Sequence, residues 1–523
     1  MKNELSRTKA ASLNAVTMLI TQAVSLLLRF GVQTSFIHEL SQSYLGLNGL
    51  FANVISFLSF ADLGIGTAIT VALYKPIADK DVDKIRLLIN FYRKTYLIII
   101  LVISAVGLGI SPWIYLFIKK PVFSNMQLTL WFILYLVSTL ATYFSANKRS
   151  FLMATQQGYL NSLNDFIFKA IQQLAQILIL VFFHSFLWFL IIQVVIAVLG
   201  NWQLSRTANK YYPEIFHNNK LLAKNNLKVD TLKEIKRNVI GAISSKIGII
   251  IVFGTDNVIL SAFIGLAAVA KYSNYMLIVQ SVSSVFSQVI GSFVGSIGNL
   301  HVTASKERQK MTLYRLLYLN TLINLFVSVG LAFAFSSFIS IWAGENYLLS
   351  TNLTIGIVLN YSINQSRYAA QCFISGMGLY WSVRWKSLIE AGINLFLSLL
   401  FIQVLHLGIM GVVLGTLGSN ILVNVVWEPY IVFHDGALGS MKTYLFKYTC
   451  YEFFIITVII ILSLVSHLFM HIGLVQLIIY TAVVEVLVLS VFLLCTFKLS
   501  EFHYFLNLCQ KFYYRVKNSI VRK

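Results

Sequence analysis

Three runs of polar residues interrupt stretches of this sequence that are otherwise apolar, and each repeats at helical spacing. Asn161, Asp165, Lys169, Gln172 and Gln176 are four, four, three and four positions apart; Asn360, Asn364, Arg367 and Gln371 are four, three and four apart; Ser59, Asp62, Gly66 and Thr70 are three, four and four apart. At about 3.6 residues per turn, each set lies along one face of a helix. An ionisable group at the centre of a membrane helix costs roughly 2.5–3.5 kcal/mol on insertion scales, so such faces look onto protein or a water-filled cavity rather than lipid. Two polar stripes in one bundle point to a cavity that water can enter.

The single charges narrow the chemistry. Asp165 and Lys169 have the i, i+4 spacing of an ion pair. Arg29 and Asp62 lie at similar depth in the first two apolar segments, where they would form either a structural salt bridge or a proton- or cation-responsive pair. Lys246 and Asp256 fall in a seventh apolar segment. Arg149 and Arg367 sit near the ends of theirs, and guanidinium groups pair bidentately with phosphate oxygens. Arg149 also adjoins Lys148, as an anchor at a membrane boundary would. No serine, cysteine or carboxylate constellation suggests catalysis, so the chain does not read as an enzyme. His467 and His471 lack a neighbouring carboxylate, and the four cysteines show no metal or disulfide spacing. Gly64-Ile65-Gly66 follows no strand and is not a nucleotide loop. The expectation is therefore no catalytic residue, no metal and no cofactor.

The elements that must position these residues are membrane helices. The chain is 58% hydrophobic and 11% charged, whereas an ordinary soluble domain has about 25% charged residues. Apolar runs of about 20 residues, the length that crosses a hydrocarbon core of about 30 Å, recur along the chain. An all-α polytopic membrane protein with about fourteen transmembrane helices follows. The spans are centred near residues 24, 61, 107, 137, 173, 195, 250, 285, 327, 361, 395, 420, 459 and 484. The net charge of +21 sorts onto this topology. Thirty-three lysines and arginines fall in alternate connections and the two tails, three on the opposite side and four within spans. By the positive-inside rule both termini are cytoplasmic. The charge is thus a topology signal and an attraction to membrane lipid headgroups, and nucleic-acid binding is excluded.

The spans group into a bundle over residues 1–205, a basic cytoplasmic linker over 206–238, a second bundle over 239–435, two further helices over 436–497 and a basic amphipathic tail over 498–523. A weak parallel repeat relates the bundles. Phe36-Ile37 and Tyr44 answer to Phe263-Ile264 and Tyr272, and Arg149 and Gly158 to Arg367 and Gly376. Glycines 408, 411, 415 and 418, and the small face Ser281, Ser284, Gln288, Gly291, Gly295 and Gly298, are expected to let helices approach closely.

The segment YLGLNGLFANVISFLSFADLGIGTAITVALYKP, Tyr44 to Pro76, resembles the second-span region of Wzx-type polysaccharide repeat-unit flippases. These belong to the multidrug/oligosaccharidyl-lipid/polysaccharide (MOP) exporter superfamily, which also contains the MATE multidrug extruders. The resemblance implies two parallel six-helix bundles plus two C-terminal helices in the bacterial plasma membrane. It implies translocation of undecaprenyl-diphosphate-linked oligosaccharide from the inner to the outer leaflet for capsule or exopolysaccharide assembly, with other assembly proteins as partners. Alternating access through a cationic cavity, driven by a proton or sodium gradient or the membrane potential, comes with it. Arg29, Lys246, Arg367 and Arg149 are the counterparts of that cavity's cations, and Asp62, Asp165, Lys169, Asp256, Asn360, Asn364 and Gln371 its polar or coupling positions. The alternative is an ion-coupled multidrug or small-molecule antiporter of the same fold.

Overall fold

The structure, a computed structural model, describes residues 7–59, 65–155, 157–216, 254–469, 472–507 and 510. Asp62, Lys246, most of the basic connection 206–238, and the expected amphipathic tail beyond residue 510 lie outside them.

Every regular element among the described residues is a helix. This follows from the solvent: hydrocarbon offers no partner to a backbone N–H or C=O, and a helix satisfies both internally. The first unit, Met1–Ala270, contains α1 (Arg7–Glu39), α2 (Gln42–Leu58), α3 (Ile65–Ala78), α4 (Val82–Ile110), α5 (Asn125–Tyr143), α6 (Ala146–Ala154), α7 (Gly158–Phe183), α8 (Phe186–Tyr211) and the single turn α9 (Pro213–Phe216). Leu266–Gly291, α10, begins at its end. The second unit, Lys271–Lys523, continues with α11 (Val294–Thr303), α12 (Lys306–Ala343), α13 (Thr351–Ser366), α14 (Tyr368–Gly376), α15 (Tyr380–Gln403), α16 (Ile409–Ser419), a π-helical turn over Asn420–Asn424, α17 (Val425–His434), α18 (Lys442–Val465) and α19 (Leu474–Thr496). Local chemistry sets several starts. Asp81 accepts from the Lys84 N–H before α4, Ser124 and Gln127 form a reciprocal capping box before α5, and Ser305 accepts from the Arg308 N–H before α12.

Ten helices among the described residues are long and apolar enough to cross a membrane, and ten of the fourteen expected centres fall within them. The centres at 24 and 361 fall in α1 and α13, outside that set, and those at 61 and 250 lie outside the described residues. The span around 361 is divided at Arg367 into helices of 16 and 9 residues, each too short alone.

The parallel repeat is visible in its turns. The Gln157 N–H donates to Leu152 O, as Leu379 does to Ile374 O; Leu160 donates to Gln157 O, as Ser382 does to Leu379 O. Each pair is separated by 222 positions. His184 and His406, also 222 apart, both adopt the left-handed region in the connection that follows a helix, at φ 47° and 52°. At this offset Ser145 and Arg367, the residues at the breaks before α6 and α14, coincide. The match of Arg149 to Arg367, 218 apart, is therefore one helical turn out of register, and Arg149 corresponds to Gln371. A shift of four residues keeps the same helix face, which explains why the sequence pattern tolerates it.

Small residues behave unevenly. A methyl group at Gly415 would come within 2.2 Å of Ser398 Oγ and 2.8 Å of its backbone nitrogen, so α15 and α16 touch through their backbones as the glycine pattern predicts. Gly291 and Gly295 instead have nothing within 4 Å where a methyl would stand. They flank the Gly291–Val294 break between α10 and α11, so their small size serves a bend and not a contact.

The second unit is organised around the break at Arg367. Ending α13 among buried residues frees carbonyls that water would otherwise satisfy. Asn320 Nδ2 on α12 donates to Gln365 O and Ser366 O at 3.0 and 3.1 Å, and Asn324 Nδ2 to Ser362 O at 3.0 Å. The Arg367 guanidinium then forks onto Glu428 of α17, with Nε–Oε2 at 3.0 Å and Nη2–Oε1 at 2.7 Å. Lys386 of α15 approaches the same carboxylate at 2.7 Å and Glu390 at 3.5 Å. Gln371 donates to Glu428, Asn364 and Asn420 accept from Arg367, and Asn424 donates to Glu390. The π turn, a one-residue slip in helix register, puts Asn420 and Asn424 on the network side, where Asn424 donates to Asn420 at 2.8 Å. Two cations meet two carboxylates, and Arg367 and Glu428 are only 6% and 2% exposed.

Removing one member strands its partner. Glu428→Gln is expected to lower stability by about 3–5 kcal/mol, whereas replacing all four charges, Arg367, Lys386, Glu390 and Glu428, with Met recovers most of it; thermal unfolding of the purified protein in detergent separates the two. Gly415→Val, which forces α15 and α16 apart, is expected to lower the unfolding temperature in the same assay, with Gly291→Ala near neutral.

Candidate functional site

The first unit encloses a cavity of about 580 Å³ among α4, α5, α6, α7 and α8. Its position follows from the second break in the fold. After α5 ends at Tyr143, Ser145 Oγ donates to Asn201 O at 2.9 Å, and α6 restarts with Arg149 on the cavity wall. Asn161 Nδ2 holds the Arg149 carbonyl at 2.9 Å, and Asn164 Nδ2 donates to Gly200 O at 3.1 Å. At Gly200 a methyl would meet the Phe168 ring at 3.0 Å, so this glycine lets α8 close on α7. These contacts present Arg149, Lys169, Asp165, Asn164, Gln172 and Asn201 to one space, backed by Tyr96 and Tyr143. The two tyrosine rings stack at 6.1 Å with 28° between planes, and Tyr92 extends the stack at 5.7 Å.

Electrostatically the cavity favours anions. Arg149 Nη1 lies 2.7 Å from Asp165 Oδ2 and its Nη2 donates to Asn201 Oδ1 at 3.3 Å. Asp165 is half-exposed, and among the described residues this carboxylate is the one acid on the wall against the two cations Arg149 and Lys169. Such an arrangement presents guanidinium and ammonium donors, amide groups able to bond hydroxyls, and flat aromatic faces. It fits a polar, negatively charged, hydroxyl-rich ligand.

The residues singled out from the sequence distribute as follows. Arg149, Asp165 and Lys169 converge on the first unit's cavity, and Asp165 reaches Arg149, 16 residues upstream, instead of Lys169 one turn on. Arg367, Asn364 and Gln371 converge in the second unit, where the guanidinium is committed to Glu428. Asn360 donates to Val413 O at 2.8 Å, bracing α13 on α16. Arg29 is an exposed residue of α1 beside Tyr135 of α5, and Asp256 is buried in the helical residues 254–263. Lys386, Glu428, Asn420, Asn201, Tyr96 and Tyr143 are not among the residues singled out from the sequence. Glu428 carried a readable signal: an acid within an apolar run requires a cation, and Arg367 is the counterpart.

No protein-family model and no curated protein matches the sequence. Solved structures do. The chain is similar to an inward-facing MATE multidrug-resistance transporter of the MOP superfamily, with TM-score 0.62 and 15% identity over 80% of this chain and 95% of that one. It is equally similar to the lipid II flippase MurJ in an inward closed conformation, with TM-score 0.62 and 15% identity over 93% of this chain and all of that one. An outward-facing MATE transporter matches with TM-score 0.55 and 14% identity over 82% of this chain and 96% of that one. At these identities the likeness concerns the backbone, and on it this multi-pass membrane chain has the fold of the MOP-superfamily transporters and flippases.

Proposed function

We propose that the chain is a flippase that moves undecaprenyl-diphosphate-linked oligosaccharide repeat units from the inner to the outer leaflet of the bacterial plasma membrane, for capsule or exopolysaccharide assembly. The observation that carries the reading is the cavity of the first unit, with Arg149 and Lys169 against Asp165, the single acid among the described lining residues, and with amides and stacked tyrosines on its wall. A diphosphate crossing about 30 Å of hydrocarbon uncovered faces a prohibitive desolvation cost, and paired cations inside a polar cavity offset it. Amides and aromatic faces suit the sugars, while the prenyl chain stays in lipid.

The neighbours support the lipid-linked class. The likeness to the lipid II flippase spans 93% of the chain, while the two MATE likenesses span 80% and 82%. The helices expected beyond the two six-helix bundles thus have a natural place in a flippase layout. In this reading both termini and the basic connections face the cytoplasm, the bundles over 1–205 and 239–435 rock about the linker over 206–238, and an ion gradient or the membrane potential drives the cycle. Arg367 braces the second bundle through Glu428, so the head-group role rests on Arg149 and Lys169, with Arg29, Lys246, Asp62 and Asp256 as further candidates for binding or coupling.

Arg149→Gln and Lys169→Gln should each lower surface polysaccharide about ten-fold, the loss of one charge-assisted contact, with membrane abundance unchanged. Surface polysaccharide is measured by immunoblot against protein level in the same cells. Normal export from the double variant would overturn the role of this cavity. Resistance to cationic drugs that depends on Asp165, with no effect on polysaccharide, would favour the antiporter.

A further inference from the structure

A second cavity of about 340 Å³ in the first unit backs onto the same tyrosines, Tyr96 and Tyr143, from the other side. It is bounded by α4, the α5–α6 break, α8 and α9, and its chemistry differs from that of the first. Arg93 and Lys148 both line it, and among the described residues no carboxylate does. The two are close enough for the charge of Arg93 to act on the Lys148 ammonium. Lys148 is held by Ser205, whose carbonyl and hydroxyl accept from Nζ, and stands 5.5 Å over the Phe216 ring. Neither cation has an ion pair among the described residues, although Asp83 and Glu214 lie on the same elements. Asp83 faces Arg86, and the Glu214 contribution to Arg86 is its backbone carbonyl. Asn209 Oδ1 adds a buried acceptor on the wall with no hydrogen-bond donor. The remaining wall is apolar and open: Leu97 is 44% and Phe144 65% exposed, both within membrane-spanning segments.

Two adjacent cations without an acid require an anion. A free buried carbonyl oxygen requires an O–H or N–H donor, and the cations beside it disfavour an ammonium. Exposed apolar side chains at membrane depth supply a surface for an alkyl chain. We propose that this cavity binds the head of an anionic phospholipid whose headgroup carries a free hydroxyl. The phosphate lies between Arg93 and Lys148, the hydroxyl donates to Asn209 Oδ1, and an acyl chain runs over Leu97 and Phe144. The lipid is a resident of the site, separate from the cargo of the first cavity and divided from it by the Tyr96–Tyr143 stack. This assignment does not depend on what the protein transports.

Native mass spectrometry of the purified full-length protein tests it, with phosphatidylglycerol, phosphatidylmethanol, phosphatidylcholine or inorganic phosphate added in turn. Phosphatidylmethanol has the same charge and no hydroxyl. Wild type should retain phosphatidylglycerol over phosphatidylmethanol, and both over phosphatidylcholine. Arg93→Gln, at an exposed position that leaves packing intact, should reduce phosphatidylglycerol retention about five-fold, the effect of one basic residue at a lipid surface. Arg93→Lys should restore it, and Asn209→Ala should abolish only the preference for phosphatidylglycerol over phosphatidylmethanol. Equal retention of phosphatidylglycerol and phosphatidylcholine, or full retention by Arg93→Gln, would overturn the proposal. Displacement of the lipid by millimolar inorganic phosphate would also overturn it, in favour of a soluble-anion site.

Discussion

A helix that breaks in a buried interior must find partners for the backbone groups it frees, and the rest of the second unit depends on how this is done at Arg367. Asn320 takes two carbonyls that α13 leaves open, Asn324 holds the Ser362 carbonyl one turn earlier, and Arg367, the residue at the break, turns its guanidinium onto Glu428. Lys386, Glu390, Asn420 and Asn424 complete a charge-balanced set drawn from three further stretches of chain. A buried ion pair contributes little net stability over an apolar replacement. What it supplies here is a fixed register for α13, α14, α15 and α17 around a bend whose buried backbone groups need partners.

The repeat gives the first unit the same bend with a different outcome. The break at Ser145 matches that at Arg367, yet the Ser145 side chain is neutral and its hydroxyl donates to the Asn201 carbonyl. The arginine sits one turn later, at Arg149, where it faces an open cavity and a half-exposed acid. One helical turn thus separates a cation used for architecture from a cation available to a ligand. The same backbone device supports a sealed network in one unit and an anion-favouring pocket in the other.

Much of this was legible in the sequence because membrane helices announce themselves by apolar length, and polar stripes by their spacing. The stripe from Asn161 does mark a cavity wall, through Asp165, Lys169 and Gln172. Its outer members do other work: Asn161 holds the Arg149 carbonyl and Gln176 bonds Phe189 O and Gln193. Partner choice was not legible. Periodicity relates residues on one helix, so it suggested Lys169 for Asp165, whereas the observed partner comes from a different helix. Lys386 lies near Arg384 at the edge of an apolar run, and only the placement of Glu428 shows why it is buried. The repeat register slipped for a related reason, since a shift of four residues preserves the helical face that pattern matching detects.

The central claim is that the fold carries a lipid-linked oligosaccharide past the hydrocarbon by way of the cation-lined cavity of its first unit. It is tested most directly with the purified protein in liposomes, by measuring how much of a fluorescent undecaprenyl-diphosphate-linked oligosaccharide becomes accessible to a membrane-impermeant reagent on the opposite leaflet. Translocation by wild type that is lost in the Arg149→Gln, Lys169→Gln double variant, with both proteins equally folded, is the expected result. Equal translocation by both, or none by wild type under any ion gradient alongside transport of a cationic drug, would contradict it.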